Sequence, residues 1–155
     1  MLRKREQLPE EECIEILKTQ LRGVLSLLGD DEYPYGIPIN HYYSEEDGKI
    51  YFHGGRKGHR IDAMRRHQKA SFCVLDEGRQ EREGDWPLRF RSVIVFGRLE
   101  ELEDRDKTIE ISRALCYKFT QDEEYIEDEI ARAAAGTLVI ALTPEHMTGK
   151  TVLES

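Results

Sequence analysis

IYFHGGRKGHRI, residues 50–61, is the stretch of this sequence that decides the fold. It begins with strand-forming residues, continues through two glycines, two adjacent cations and a third glycine, and ends where a helix can begin. Glycines let a backbone approach a ligand closely, and a helix N-terminus offers unpaired N–H groups and a partial positive charge. Arg56 and Lys57 add full charges, and arginine can bind phosphate oxygens through paired hydrogen bonds. The stretch predicts a phosphate-binding loop, with a plain basic helix start as the alternative.

The same stretch opens a basic segment in an acidic chain. Residues 56–69 contain six basic side chains and one acidic side chain, whereas the whole sequence has a formal net charge of −8. Such a segment predicts attraction to one anionic group rather than to a nucleic-acid backbone, which needs an extended basic surface. The stretch has neither the Walker A pattern nor the GxGxxG pattern of dinucleotide-binding folds, so those two classes are excluded.

Strand signals recur at hairpin spacing on both sides of this stretch. Pro38 is expected to interrupt the second strand, Gly54 and Gly55 to end the third, and Pro144 to close the last, while Gly97 predicts a bulge. Hairpin-linked strands favour an antiparallel barrel over a doubly wound sheet. The predicted strands span residues 22–28, 35–43, 49–53, 70–75, 90–102 and 137–142.

Helical patterns fill the segments between these strands. A helix is predicted to begin at Pro9, a second to span about residues 58–67, a third to follow Asp104 as its cap, and a fourth to open with a capping box formed by Thr120 and Glu123. Residues 76–87 are polar and predict a mobile loop. We therefore expect one domain over residues 1–155, mainly β with peripheral helices.

Composition and the first residues point to the cytoplasm. No apolar run is long enough to span a bilayer, and the charged residues 1–7 are not followed by the apolar segment of a signal peptide. The three cysteines form no CxxC pair and lie in apolar-periodic segments, as is typical of buried residues in a reducing compartment. We expect a cytoplasmic protein with neither a membrane nor a nucleic acid as partner.

Several motifs carry a resemblance to a known family. They are the acidic opening helix, Tyr35–Asn40, the end of the strand at Tyr51–Gly54, Ser92–Gly97 and Thr148–Lys150. In this order and spacing the chain resembles the pyridoxamine 5′-phosphate oxidase-like FMN-binding split-barrel superfamily, and within it the nitroimidazole-resistance (Nim) proteins. The resemblance implies an antiparallel split β-barrel that holds FMN across a homodimer interface, with strand residues such as Val93–Phe96 lining the contact between subunits.

The resemblance also implies roles for particular side chains. Arg56, Lys57 and Gly58 match the stretch that binds the FMN phosphate. The strand that contains Pro38 matches the strand whose backbone passes the flavin ring. Ser92 matches a position near the phosphate, and the residue at that position can come from the partner subunit. From the residues alone, the proline also fits an edge-strand bulge and the serine an ordinary strand hydroxyl. The residues assigned to the cofactor are Pro38, Ile39, Asn40, His53, Arg56, Lys57, Gly58 and Ser92.

His53 is the candidate catalytic residue. Strand alternation places His53 and Tyr51 on one side and Phe52, the natural core residue, on the other. His53 could then bond the flavin or give a proton to a substrate, whereas the alternative is a histidine satisfied by a backbone carbonyl.

These features predict an FMN-dependent oxidoreductase that acts on a small molecule, and reduction of a nitro group is the reaction that the resemblance suggests. Authentic pyridoxamine phosphate oxidases carry a basic, aromatic-rich C-terminal motif that residues 148–155 lack, which argues against vitamin salvage. The alternative is a non-catalytic flavin- or haem-binding protein of the same fold, with His53 or His146 as the axial haem ligand. The five histidines lie in unrelated elements without an HExxH motif, so no metal site is predicted.

Overall fold

The computed structural model describes residues 6–133 and 135–154. Within these residues, eight strands form one sheet in the order β2-β1-β5-β7-β8-β4-β3, with β6 added beside β7, and every pairing is antiparallel. The strands are β1 Arg22–Leu28, β2 Pro34–Asn40, β3 Tyr42–Tyr43, β4 Ile50–Gly55, β5 Lys69–Leu75, β6 Arg79–Gln80, β7 Leu88–Glu101 and β8 Thr137–Glu154. The helices are α1 Glu10–Thr19, α2 His59–Arg66, α3 Arg105–Tyr117 and α4 Glu123–Ala133.

The sheet curls into a split barrel around one main core. Alternate residues of each strand point inward, and Leu25, Phe52, Phe72 and Val95, from four different strands, are all 0% exposed. The rings of Phe52 and Phe72 meet edge to face with their centroids 5.0 Å apart, although β4 and β5 are not neighbours in the sheet. This contact across the interior shows that the sheet folds over on itself, as the mainly β split-barrel class predicts.

Pro38 does not interrupt its strand. The β1–β2 ladder runs unbroken from Arg22 opposite Asn40 to Leu28 opposite Pro34, and Pro38 pairs with Val24. Proline is tolerated because β2 lies at the edge of the sheet and has only one neighbour. The break between β2 and β3 falls at His41 instead.

The longest ladder, β7 with β8, also continues past a residue that was expected to end it, Pro144. A bulge does occur at Gly97: Phe96 pairs with His146 and Gly97 with Pro144, which leaves Glu145 as the extra residue on β8. The same bulge accommodates Pro144, because a proline can sit where the ladder is already disrupted, and β8 therefore continues to Glu154.

The third predicted strand is also longer than expected. β4 ends at Gly55 rather than at His53, because Gly54 and Gly55 still pair with Leu138 and Thr137 of β8.

The helices cover openings of the barrel. α1 and α2 add Ile16, Leu17, Ile61 and Met64 to the main core. α3 covers the outer side of β4 and β8, where Ile111, Leu115, Tyr51, Val139 and Ala141 form a second cluster. Asp104 caps α3 as predicted, accepting a hydrogen bond from the Lys107 N–H.

α4 packs on α3 and buries only Ile126 among its residues that the structure describes. The expected capping box is wrong: Asp122 accepts from the Tyr125 N–H, and the Thr120 hydroxyl accepts from the N–H of Asp122 instead. Among the described residues, α4 therefore buries fewer side chains than any of the other three helices.

The polar segment 76–87 is not simply a loop, because it contains β6. The Asp76 carboxylate accepts hydrogen bonds from the N–H groups of Gly78 and Arg91 and from the Arg91 guanidinium, which fixes the base of the segment. Burial is the leading influence on the Asp76 pKa and would raise it, but these hydrogen bonds outweigh it, and the pKa lies below its ordinary value. The sequence did not reveal this anchor.

The cysteines are all free, but only Cys13 is buried, while Cys73 and Cys116 are half-buried. A membrane-spanning helix is not found among the residues that the structure describes.

Candidate functional site

One open cavity of about 430 Å³ gathers four of the sequence-predicted site residues. It is lined by Arg22, Pro38, Ile39, Asn40 and His53. Arg22 and Asn40 are paired across the ends of β1 and β2, whereas His53 comes from β4, five places from β2 along the sheet order. The curl of the barrel brings these strands together, so the cavity lies where the open edge of β2 approaches the outer side of β4.

The β2 residues alternate along this cavity. Ile39 is 8% exposed and belongs to the main core, while Pro38 is exposed and Asn40 half-exposed on the opposite side of the strand. The strand thus presents a proline and an amide to the cavity and is held in place from behind by Ile39.

His53 lies on the cavity side of β4, as strand alternation predicts. Phe52 is fully buried and Tyr51 is covered by α3, but His53 is exposed and has no hydrogen bond or ion pair among the described residues. Its pKa is lowered chiefly because the surrounding protein removes water from the ring, and secondly by the charge of Arg60. At neutral pH His53 is therefore mainly a neutral imidazole with one free N–H and one free acceptor.

Arg60 is a cation whose charge acts on His53 and to which sequence reasoning gave no role. It lies in the first turn of α2, its Nε is buried without a partner, and the described residues offer its guanidinium neither a hydrogen bond nor an ion pair. Burial lowers its pKa, which the nearby Tyr35 only partly offsets. An arginine is charged at all relevant pH values, so this is a half-buried cation without an anion.

Gly54 makes the position of Arg60 possible. A Cβ atom built on Gly54 would overlap the Arg60 guanidinium, so only glycine leaves room for it there. The only sequence signal for this contact is a glycine at position 54 followed by an arginine six residues later, and the sequence alone does not show that the two residues meet.

The predicted phosphate loop stands beside this cavity rather than in its lining. Arg56 donates from Nε to the carbonyl oxygen of Ala135 at 3.3 Å and lines a neighbouring cavity with Glu101 and Arg105. Lys57 is exposed and has no partner among the described residues. Gly58 has a φ of 121°, a conformation that side-chain-bearing residues rarely adopt, and its carbonyl accepts the first N–H bonds of α2.

Ser92 is not brought to this cavity within the chain. It is 7% exposed on β7, between Leu75 of β5 and Lys150 of β8, and two strands separate β7 from β2. Only another copy of the chain could bring a Ser92 closer. In residues 6–133 and 135–154, no group of three His, Cys, Asp or Glu side chains is arranged to hold a metal ion.

The sequence and the fold were compared with known proteins. Residues 9–151 match the family model described as pyridoxamine 5′-phosphate oxidase, whereas no curated protein matches the sequence. Among solved structures, a candidate 5-nitroimidazole antibiotic resistance protein from Bacteroides thetaiotaomicron superposes with a TM-score of 0.79 at 18% identity, covering 95% of this chain and 87% of its own.

Two proteins from Mycobacterium smegmatis are also similar in structure. Its FAD binding protein has a TM-score of 0.69 at 19% identity, with 96% of this chain and 99% of its own covered. Its FAD and haem binding protein has a TM-score of 0.71 at 21% identity, with 94% and 72% covered. At these identities the solved structures show the fold alone.

Proposed function

The chain belongs to the pyridoxamine 5′-phosphate oxidase family, and from that premise we propose that it binds FMN and acts as an oxidoreductase on a small molecule, with nitro compounds as the class to test first. The observation that carries the proposal is the cavity in which Pro38, Ile39, Asn40 and His53 meet. Arg60 does not line this cavity, but its charge acts on His53 and it has no anion among the described residues. Flavin binding by similar folds, as named in the two mycobacterial proteins, supports the same cofactor class.

The cations that would hold a flavin phosphate lie in the segment that follows His53 rather than in the cavity lining. A dianionic group would satisfy the Arg60 guanidinium, which is half-buried and has no acceptor, and Lys57 and Arg56 are close in sequence to add charge. The unpaired edge of β2 at Pro38–Asn40 offers a surface for the ring. Bound there, the flavin would supply hydride or electron transfer, while the chain orients it and the substrate.

His53 would act on the substrate rather than on the phosphate. Its ring faces the cavity and is neutral at neutral pH, so its N–H can donate a hydrogen bond to a flavin or substrate oxygen. We expect His53→Ala to retain bound flavin but to lower the rate of substrate reduction. An unchanged rate and pH profile with a nitroaromatic that the wild type reduces would leave His53 a structural residue.

We further propose that two copies associate through the outer side of the sheet. Val24, Leu75 and Phe96 are 40%, 53% and 48% exposed on that side, and Ile94 lies between them in the register. Such a continuous apolar surface is unusual for a solvent-facing sheet and typical of an obligate interface.

Only alternate residues of the predicted contact segment can take part in this dimer, because Val93 and Val95 are 0% exposed and belong to the core. Light scattering that finds only monomer in a flavin-loaded sample would contradict the dimer.

The proposed cofactor is tested by the absorption spectrum of the purified protein and by titration. We expect flavin bands, tight binding of added FMN, and weaker binding of riboflavin because it lacks the phosphate. Titration with FAD decides between the two nucleotides, and a haem spectrum would favour the alternative cofactor. If neither flavin binds and a reduced nicotinamide with a nitroaromatic gives no turnover, the proposal is wrong.

A further inference from the structure

A second, smaller cavity lies on the other side of His53. It has a volume of about 80 Å³, is partly open to solvent, and is lined by α3, α4 and the ends of β4 and β8. Ile109 and Ile130 provide facing apolar walls, and His53 lines both this cavity and the one at Pro38–Asn40. His53 therefore stands between two spaces, and the proposed flavin site uses only one of them.

The polar groups of this α3–α4 chamber are mostly occupied. The Thr108 and Thr137 hydroxyls donate to the carbonyl oxygens of Asp104 and Ala133, and the Glu129 carboxylate is paired with Arg132. Burial is the first cause that raises the pKa of Cys116, so its thiol stays protonated. Two lining side chains with a hydroxyl or N–H donor, Ser112 and His53, have no hydrogen-bond partner in the described part of the chain.

This lining selects an uncharged ligand. The charge of Glu129 is already balanced by Arg132, so an ionic ligand would lose its hydration without gaining a counter-charge. The apolar walls suit a flat hydrocarbon ring, and Ser112 and His53 can donate to an acceptor group on it.

The chamber is smaller than the roughly 150 Å³ cavity that holds benzene in a well-studied protein core, so one wall has to yield. α4 is suited to do so, because its main contacts are with α3 and Ile126 is its one buried residue among those described.

We propose that the α3–α4 chamber binds an uncharged, single-ring aromatic compound with its polar substituent at His53, and that α4 is the adjustable wall. The inference rests on the proposed function, since it names the class of substrate that would lie beside the flavin site. The proposal is supported by the size of the chamber, by its apolar walls and by the two unpaired donors, Ser112 and His53.

The test is fluorine NMR with 4-fluoronitrobenzene as the probe. We expect its resonance to shift and broaden with wild-type protein, and Ile130→Trp, which fills the chamber, to weaken binding by roughly tenfold or more. Ala131→Trp is the matched control, because Ala131 is an exposed residue of the same helix that does not line the chamber. Equal binding by both tryptophan variants would overturn the proposal.

Ile130→Ala keeps the test decisive if the tryptophan variant does not fold. The enlarged chamber should bind 4-fluoro-1-nitronaphthalene at least as tightly as wild type binds the single ring, and a failure to bind either probe would count against the site. FMN titration of the same samples separates the two proposals. Probe binding that depends on Ile130 without FMN binding would overturn the flavin proposal alone, and FMN binding without this dependence would overturn the chamber alone.

Discussion

Two regions of this molecule set a histidine beside a cation, and they differ in how the cation is satisfied. In the first, Lys118 donates from Nζ to the carbonyl oxygens of Gln20 and His41 at 2.7 and 2.8 Å, and His41 Nε2 lies 2.7 Å from the Leu17 carbonyl oxygen. In the second, Arg60 and His53 have no partner among the described residues. Desolvation is the leading cause of the lowered histidine pKa in both regions, and the neighbouring cation adds to it.

We propose that the difference separates a structural cation from one that binds a ligand. Lys118 connects the C-terminal end of α3 to the chain around α1 and β2, and its acceptors are backbone atoms that cannot leave. Arg60 has been placed in a half-buried position, with glycine at residue 54 to admit it, and no protein acceptor has been provided. A buried charge without a partner costs stability, so its retention is explained best by an anion that arrives from outside.

Lys118→Met should produce the largest loss of stability in this comparison. The change removes the ammonium but keeps most of the side-chain volume, and it leaves two carbonyl oxygens without their donor. We expect the free energy of unfolding to fall by about 4 kcal/mol, since each unsatisfied buried acceptor costs about 1–3 kcal/mol. Urea denaturation measures it. A loss below about 1 kcal/mol would show that water replaces the ammonium and that Lys118 is no more structural than Arg60.

Acid should destabilise the same region through His41. Burial, the main cause, and the Lys118 charge lower the His41 pKa to about 4 in the folded protein, against 6.5 ordinarily. Between these values the unfolded chain takes up a proton that the folded protein does not, so stability falls as pH decreases from 6.5 to 4 and the effect levels off below 4.

The His41 contribution to this loss should be about 3 kcal/mol. Urea unfolding at a series of pH values measures the total, and NMR titration of His41 isolates its share. A folded-state His41 pKa near 6.5 would remove the predicted contribution.

Arg60→Ala should have the smallest effect on folding and a clear effect on ligand affinity. We expect FMN to bind about ten- to a hundredfold more weakly, as for the loss of one charge-assisted hydrogen bond, while riboflavin binding changes little. The free energy of unfolding should stay the same or rise, because the removed guanidinium has no protein acceptor. Arg65→Ala on the same helix is the control, since Arg65 is exposed and paired with Glu101. Equal FMN affinity in both variants would contradict the assignment of Arg60.

The strand order of the fold was less accessible to sequence reasoning than the strands themselves. Arg22–Leu28 was predicted with its observed bounds, and the bulge at Gly97 was predicted from an isolated glycine in an apolar run. The expected stop at Pro144 was wrong, because a proline breaks a ladder only where its neighbours are regularly paired, and the bulge at Glu145 removes that condition. Local signals report residue conformation, whereas continuity depends on the partner strand.

The candidate site shows the same limit in another form. The resemblance indicated Pro38, Ile39, Asn40 and His53, and the structure gathers them around one cavity. Arg60 lies within the decisive stretch, but the sequence gave it no role, because its importance comes from the acceptor it lacks and from the space at Gly54. Those facts concern what surrounds a side chain in three dimensions, and a sequence pattern carries no record of them.

The position of β8 has a consequence for biosynthesis. β8 follows all the other strands in the chain, yet it lies between β7 and β4 and is the link that joins the two halves of the sheet. While the chain emerges from a ribosome, β4 and the site at His53 therefore have no lasting pairing partner on that side until residues 137–142 have been made. We expect nascent chains ending before residue 137 to resist proteolysis only in β1, β2, β5 and β7, and slow refolding in vitro, because so many contacts join distant segments. Chaperones that bind the nascent chain would have their longest contact with the exposed edge of β7, because β8, the last strand, pairs with that edge.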